Sequence, residues 1–220
     1  MQSSHLTYVN YVLENSQPGN IQSVIDAVDK YGWTKQWLMS IGDRKGVIID
    51  KAIQSRKPKT ILELGTFLGY SSLRMAAQVP NDTLIFSIEI DPELAKIAHA
   101  IHKHAGAEDR INILTGSTEN VIPQLSKQYN INSFDFIFID HHESIYLRDF
   151  KLLESLGLIK SGTMIVADNV ITPGAPDYLD YIRNNPNYQT KTHETVIQYQ
   201  EEERDGIEIT IRVVKGEFDF

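Results

Sequence analysis

From Thr60 onward, short apolar runs alternate with longer stretches in which apolar residues recur every three or four positions. The short runs, Thr60–Leu64, Leu84–Ile90, Ile111–Thr115, Phe134–Asp140 and Thr163–Asp168, are rich in Ile, Leu and Phe, which predicts strands buried on both faces of a parallel sheet. Between them, Ser71–Gln78, Pro92–Ala105, Thr118–Tyr129 and Tyr146–Leu158 have the length and apolar spacing of crossover helices. Two further strand patterns, Thr192–Tyr199 and Ile207–Val214, flank a charged stretch containing Asp205-Gly206, a hairpin signal. The sheet is therefore expected to end in an antiparallel pair. Roughly the first fifty residues hold no strand pattern and read as two or three helices, broken at Ser16-Gln17-Pro18-Gly19-Asn20. With no repeat and no linker, the pattern predicts one domain over residues 1–220, a helical cover (1–57) on a doubly wound α/β core (58–220) with helices on both faces of the sheet.

Composition narrows the partners more than the fold. The chain has 220 residues, 41% of them apolar, enough for one sizeable core. A formal charge of −8 argues against nucleic acid, whose binding needs clustered Lys and Arg. No apolar run approaches the roughly eighteen residues of a membrane span, and the opening residues mix polar with apolar side chains throughout, so no membrane association and a cytoplasmic location are expected. Cysteine is absent, so any metal must sit on oxygen or imidazole.

Candidate chemistry gathers where strands end. The first strand runs into Glu63-Leu64-Gly65-Thr66-Phe67-Leu68-Gly69-Tyr70-Ser71, a glycine-punctuated turn at the strand edge where α/β proteins place their ligands. Its Gly-x-x-x-Gly spacing is neither the dinucleotide fingerprint nor a phosphate loop. Glu63 stands where an amino-acid ammonium could be paired, and Glu89, ending the next strand, where both ribose hydroxyls could be accepted. Together they suit an adenosine carrying a cationic amino acid, although Gly65 and Gly69 could equally serve only a tight turn. Two later strands end in Asp140 and in Asp168-Asn169. Neighbouring parallel strands bring such ends together, and three oxygen ligands suit magnesium better than zinc, which would prefer the imidazoles of His141 and His142. The alternative is that Asp168-Asn169 caps and turns the following segment.

Along nearly its whole length, from Pro18-Gly19-Asn20 to Asp205-Gly206, the chain resembles the catechol O-methyltransferase family. The resemblance is carried by residues 37–43 (Trp-Leu-Met-Ser-Ile-Gly-Asp), Glu63-Leu64-Gly65, Gly69-Tyr70-Ser71, Ile88-Glu89, Ile122-Pro123-Gln124-Leu125, Asp140-His141 and residues 167–177, which begin Ala167-Asp168-Asn169. It implies a Rossmann-like methyltransferase fold, a seven-stranded, mostly parallel sheet with an antiparallel last strand. It further implies S-adenosylmethionine and Mg2+ as cofactors and a small catechol or similar vicinal diol as acceptor. Carried over by position, Asp140, Asp168 and Asn169 are the metal ligands. Glu89 with Ile90 falls to the ribose, Ile41, Glu63, Gly65, Phe67 and Ser71 to the methionine side, Thr118, Glu119 and His141 to the adenine, and Asp140 also to the cofactor. Trp37, Met39 and Pro173 match the walls of the acceptor pocket, which Asn169 and Gln198 complete. Taken alone, Trp37 and Met39 would read as packing residues.

Two departures bear on catalysis. The family's general-base lysine is matched by Glu143, and the tryptophan beside it by His142. A glutamate that binds the second catechol hydroxyl is matched by Gln198. On chemistry His142 is the better replacement base, because imidazole titrates near neutrality whereas a solvated carboxylate is a weak base. Besides the catechol reading, the sequence leaves open another hydroxylated acceptor, or a binding module that has lost turnover.

Overall fold

The computed structural model describes residues 2–213, with side chains from residue 5. Three helices open the chain, α1 (Gln2–Asn15), α2 (Ile21–Thr34) and α3 (Gly42–Arg56). The break between the first two falls at the expected Pro-Gly, and Asn20 caps α2 by accepting a hydrogen bond from Ser23 N. The core then alternates β1 (Thr60–Leu64), α4 (Tyr70–Ala77), β2 (Leu84–Glu89), α5 (Pro92–His104), β3 (Ile111–Thr115), α6 (Thr118–Val121), α7 (Leu125–Tyr129), β4 (Phe134–Ile139), α8 (Tyr146–Ser155), β5 (Ile159–Ala167), α9 (Pro176–Arg183), β6 (Tyr188–Val196) and β7 (Arg204–Arg212). Val214, which the sequence placed in the last strand, lies outside the described residues.

The seven strands lie in the order β3-β2-β1-β4-β5-β7-β6. All pairings are parallel except those of β7, which is antiparallel to both β5 and β6. Strand pleat divides the core into two layers. Ile61, Phe136, Phe138 and Val166 join α1 to α5 on one face; Leu62, Leu64, Ile137, Ile139 and Ile165 join α8 and α9 on the other. The order in which strands are added reverses between β1 and β4, the switch point at which such sheets bind ligands. Because β7 runs opposite to its neighbours, its first residues lie on the same edge as the last residues of β5 and β6, so residues 197–205 also face that crevice.

Four expectations need correction. The helix predicted over Thr118–Tyr129 is broken by a 3-10 turn at Ile122–Gln124, where Pro123 has no N–H to continue an α-helix. Strand β5 starts at Ile159, earlier than Thr163, and β6 is shifted to Tyr188–Val196, which leaves Gln198 in the loop. Asp205-Gly206 is not the hairpin turn: β7 begins at Arg204, and Asp205 is buried against α3, so tertiary charge pairing overrides turn propensity. Helix α9 was not anticipated. Among the described residues, no helix is long and apolar enough to cross a membrane.

The cover is tied to the core through Tyr199, at the edge loop. Its hydroxyl donates to Asp29 on α2 at 3.0 Å and meets Ser40 at 3.1 Å. Its ring packs so closely on Gly32 that a Cβ there would stand 2.6 Å from ring carbons. Gly32→Ala should gain about 1 kcal/mol of helix propensity but lose roughly 1–3 kcal/mol to overpacking. Thermal melting should therefore show net destabilisation, reversed in a Tyr199→Leu background; a stabilised single variant would show that the ring yields freely.

Candidate active site

Backbone hydrogen bonds from Asp140 N to Leu64 O (2.9 Å) and from Asp168 N to Ile139 O (3.0 Å) set the ends of β1, β4 and β5 side by side. Gly65 has φ +101°, and a Cβ on it would run into the carbonyl oxygen of Asp140. Gly69, at φ +84°, has His102 Nε2 2.5 Å from where a Cβ would be. Both glycines are therefore demanded by the turn itself. Phe67 adopts φ +49° between them, and its N–H donates to Glu89 Oε2 at 2.7 Å.

Glu63 lies buried beneath this turn, its two carboxyl oxygens met by the hydroxyls of Ser71 and Ser87. Burial, reinforced by Glu89 and only partly offset by those hydroxyls, pushes its carboxyl up to about 8. Glu89 accepts from Phe67 N and, at 2.9 Å, from Asp91 N, yet an ionised carboxylate has acceptor capacity beyond two bonds. Ile41 is buried beside the cover, whereas Ile90 is exposed.

The predicted adenine positions share one anchor that sequence reasoning missed. Asp149, on the buried stripe of α8, accepts from Thr118 Oγ1 (2.5 Å) and Arg148 Nε (2.8 Å) and pairs with His141 Nε2 (2.7 Å). Arg148 reaches on to Glu119 at 3.5 Å. His141 stacks on Tyr146 and leaves its buried Nδ1 without a partner. Burial alone would raise the Asp149 carboxyl, but these donors hold it below the usual range.

A second missed residue sits between the candidate metal positions. Lys45, fully buried, places Nζ 2.5 Å from Asp205 Oδ2 and 2.9 and 3.0 Å from the two oxygens of Asp168. The hydrogen bond is aimed at Asp168 Oδ2, while Oδ1 is held by the charge of the same ammonium. The ammonium stays charged because the two carboxylates outweigh its burial. Asp140 is pushed well above the usual carboxylate range by burial and then by Asp168; Asp168 is raised by burial against the pull of Lys45. Asn169, at φ +56°, gives Nδ2 to Thr172 O (3.3 Å) and Asp205 Oδ2 (3.0 Å), which leaves its Oδ1 as the acceptor. Among the described residues no three carboxylate or imidazole side chains form a metal cage; the candidate set is two carboxylates and an amide. Both missed residues carry a sequence signal: Lys45 and Asp149 are charges at apolar register, in the sets Lys45, Ile49, Ala52, Ile53 and Tyr146, Asp149, Phe150, Leu153.

Trp37 and Met39, expected beside the acceptor, line one cavity of about 240 Å³ together with Phe67, expected on the cofactor side, and Tyr8, Tyr31 and Leu68. Trp37 is 49% and Met39 63% exposed, and Trp37 Nε1 donates to the Gln198 carbonyl at 3.0 Å. The Gln198 side chain is buried with Oε1 unpaired. Pro173 is exposed on the turn after Asn169. His142 is exposed and caps the 3-10 turn Glu143–Ile145, its Nδ1 accepting from Ser144 N at 3.3 Å, while Glu143 is half-buried and adds to the field on Asp140.

The Glu63 environment has a measurable consequence. A folded-state pKa of about 8, above the ordinary 4.5, means that the folded form binds the proton more tightly, so stability is lost as pH rises between these values. In metal-free protein the stability difference between wild type and Glu63→Gln should fall by a few kcal/mol across that window and level off on either side. A flat difference in denaturant melts would show that Glu63 is ionised throughout.

Comparison with known proteins agrees with this geometry. A family model described as O-methyltransferase matches residues 21–211. Catechol O-methyltransferase of Mus musculus is 39% identical over 191 residues, covering 87% of this chain and 72% of that protein. Catechol O-methyltransferase B of Danio rerio is 38% identical over 91% of this chain and 75% of its own length. Among solved structures, an O-methyltransferase from Streptomyces achromogenes in complex with SAM superposes with a TM-score of 0.75 at 20% identity, covering 86% of this chain and 89% of that one. One from Bacillus cereus in complex with SAH gives 0.72 at 22% identity, covering 91% and 90%. At such identities the structures speak for the fold alone, a Rossmann-like sheet. With the family model spanning most of its length and relatives near 38% identity, the chain belongs to the O-methyltransferase family, as a SAM-dependent enzyme of the catechol O-methyltransferase type.

Proposed function

We propose that this protein transfers the methyl group of S-adenosylmethionine to a hydroxyl of a catechol or similar vicinal diol, with Mg2+ held by Asp140, Asp168 and Asn169. The observation that carries the reading is the pair of carboxylates, Asp140 and Asp168, that the backbone bonds from Asp140 N to Leu64 O and from Asp168 N to Ile139 O bring to the sheet edge beside the Gly65 turn. The donor set fits a hard cation in kind: Asp140 and Asp168 offer carboxylate oxygens, Asp168 already sharing its charge with Lys45, and the Asn169 amide offers its oxygen.

When bound, the cation lowers the pKa of an acceptor hydroxyl and helps to orient it. Everything else falls to the chain. Glu89 accepts the ribose hydroxyls, His141 offers Nδ1 toward the adenine, Phe67 lies on the methionine side, and Trp37, Met39 and Pro173 wall the acceptor ring. Gln198 Oε1 accepts from the hydroxyl that is not methylated. As the oxygen–carbon bond forms, the carbon–sulfur bond breaks and its electron pair stays on sulfur. The proton goes to Glu143, half-buried and near enough for its charge to act on Asp140, whereas the Nδ1 lone pair of the exposed His142 is engaged in the 3-10 turn. This reverses the order of preference drawn from residue chemistry alone. The exposure of Trp37 and Met39 favours a second reading, a bulkier hydroxylated acceptor, as the specificity alternative.

The test is methyl transfer to a panel of catechols and other hydroxylated compounds, with Mg2+ or with a chelator. Product on vicinal diols that vanishes with the chelator is expected; SAM binding without product on any acceptor would overturn the reading in favour of a binding module. Glu143→Gln should lower kcat about 100-fold or more, while His142→Ala stays within a few-fold of wild type. The opposite ranking would return the base to His142.

A further inference from the structure

Asp205 belongs to none of the residues assigned above to the cation, the methyl donor or the acceptor, yet it is the most heavily used carboxylate on the edge. It is fully buried at the start of β7. Its Oδ2 accepts from Lys45 Nζ at 2.5 Å and from Asn169 Nδ2 at 3.0 Å. Its Oδ1 accepts from the backbone N–H groups of Gly206 (2.7 Å), Thr172 (3.0 Å) and Ile171 (3.3 Å). Five donors thus converge on two oxygens, and three of them belong to Asn169 and the two residues that follow Val170.

An asparagine side chain is nearly symmetric in shape, with oxygen on one side and nitrogen on the other, so only its hydrogen-bond partners decide which atom points where. A carboxylate accepts only. Placed against Asn169 it selects the amide nitrogen, and the oxygen is turned the other way. The same carboxylate anchors Lys45, whose ammonium also meets Asp168, so one buried ion pair bears on two of the three candidate ligands. A neutral turn-former at 205 could satisfy the backbone N–H groups but could not hold both the ammonium and the amide in this sense. Asp205 has no oxygen left over for a direct ligand role.

We propose that Asp205, braced by Lys45, is the positioning residue of the cation site: it presets the Asn169 amide and the Asp168 carboxylate so that a divalent ion meets a ready-made set of oxygens. The proposal rests on the cation reading above, and its test separates the two. Mn2+ and Mg2+ are titrated calorimetrically into wild type and Asp205→Asn without methyl donor or acceptor, and SAM affinity is measured separately in the absence of cation. Loss of an outer-shell partner typically costs 10–100-fold in metal affinity; that loss is expected for Asp205→Asn, with SAM affinity unchanged. Equal cation affinity in both proteins would overturn the positioning role and leave the cation reading standing. A wild type that binds neither ion would sink both. Should Asp205→Asn fail to fold, wild type itself decides through NMR of selectively 15N-asparagine-labelled protein, with the Asn169 signal assigned by Asn169→Asp. The side-chain amide protons of Asn169 should be resolved and slow to exchange before Mg2+ is added, and should keep that environment afterwards. Protons averaged with solvent until the ion arrives would refute presetting.

Discussion

An ammonium buried between two carboxylates is the interaction on which the organisation of this protein turns. Removing charges from water costs several kcal/mol per ion, a cost offset only by close geometry and further hydrogen bonds. Lys45, Asp168 and Asp205 meet that condition: the ammonium lies within 3.0 Å of both acids, and Asp205 is saturated with donors. The three residues come from α3, the end of β5 and the start of β7. The cluster therefore fixes where the helical cover meets the sheet edge, and with it the segment from Gln36 to Ile41 that leads into α3. An apolar core can slide by a rotamer; a buried ion pair cannot without exposing a charge.

Most of the fold could be read from residue pattern because its determinants are local. Five of the seven strands were expected within a few residues of their bounds, since each is a short apolar run ended by glycine, an acid or a polar cluster. The misses have different causes. At Asp205-Gly206 local chemistry calls for a turn, and only the partner on α3 makes a strand start there preferable. At Thr118–Tyr129 apolar periodicity continues through Pro123, which cannot supply the N–H that a continuous helix needs.

The candidate site was legible in the same proportion and for the same reason. Gly65, Glu89, Asp140, Asp168 and Asn169 stand at strand ends, where topology alone predicts convergence. Lys45 and Asp149 were overlooked because they sit within helices, where a charge is ordinarily solvated; their apolar register was the clue. Asp205 was hidden differently. Expecting functional residues at the carboxyl ends of strands overlooks an antiparallel strand, whose opening residues share that edge. The glycines carry a further lesson: Gly65 is required by the Asp140 carbonyl, so its presence alone is no evidence of a ligand.

The Asp149 hub and the open walls around Trp37 divide the molecule unequally with respect to evolutionary change. On the donor half, Thr118, His141 and Arg148 converge on one buried acid, so a substitution at any of them disturbs the others and the stability of the sheet edge together. On the acceptor half, Trp37, Met39 and Pro173 face solvent, where exchanges usually cost little stability. Such a scaffold tolerates exchange at its exposed walls more readily than at its hub.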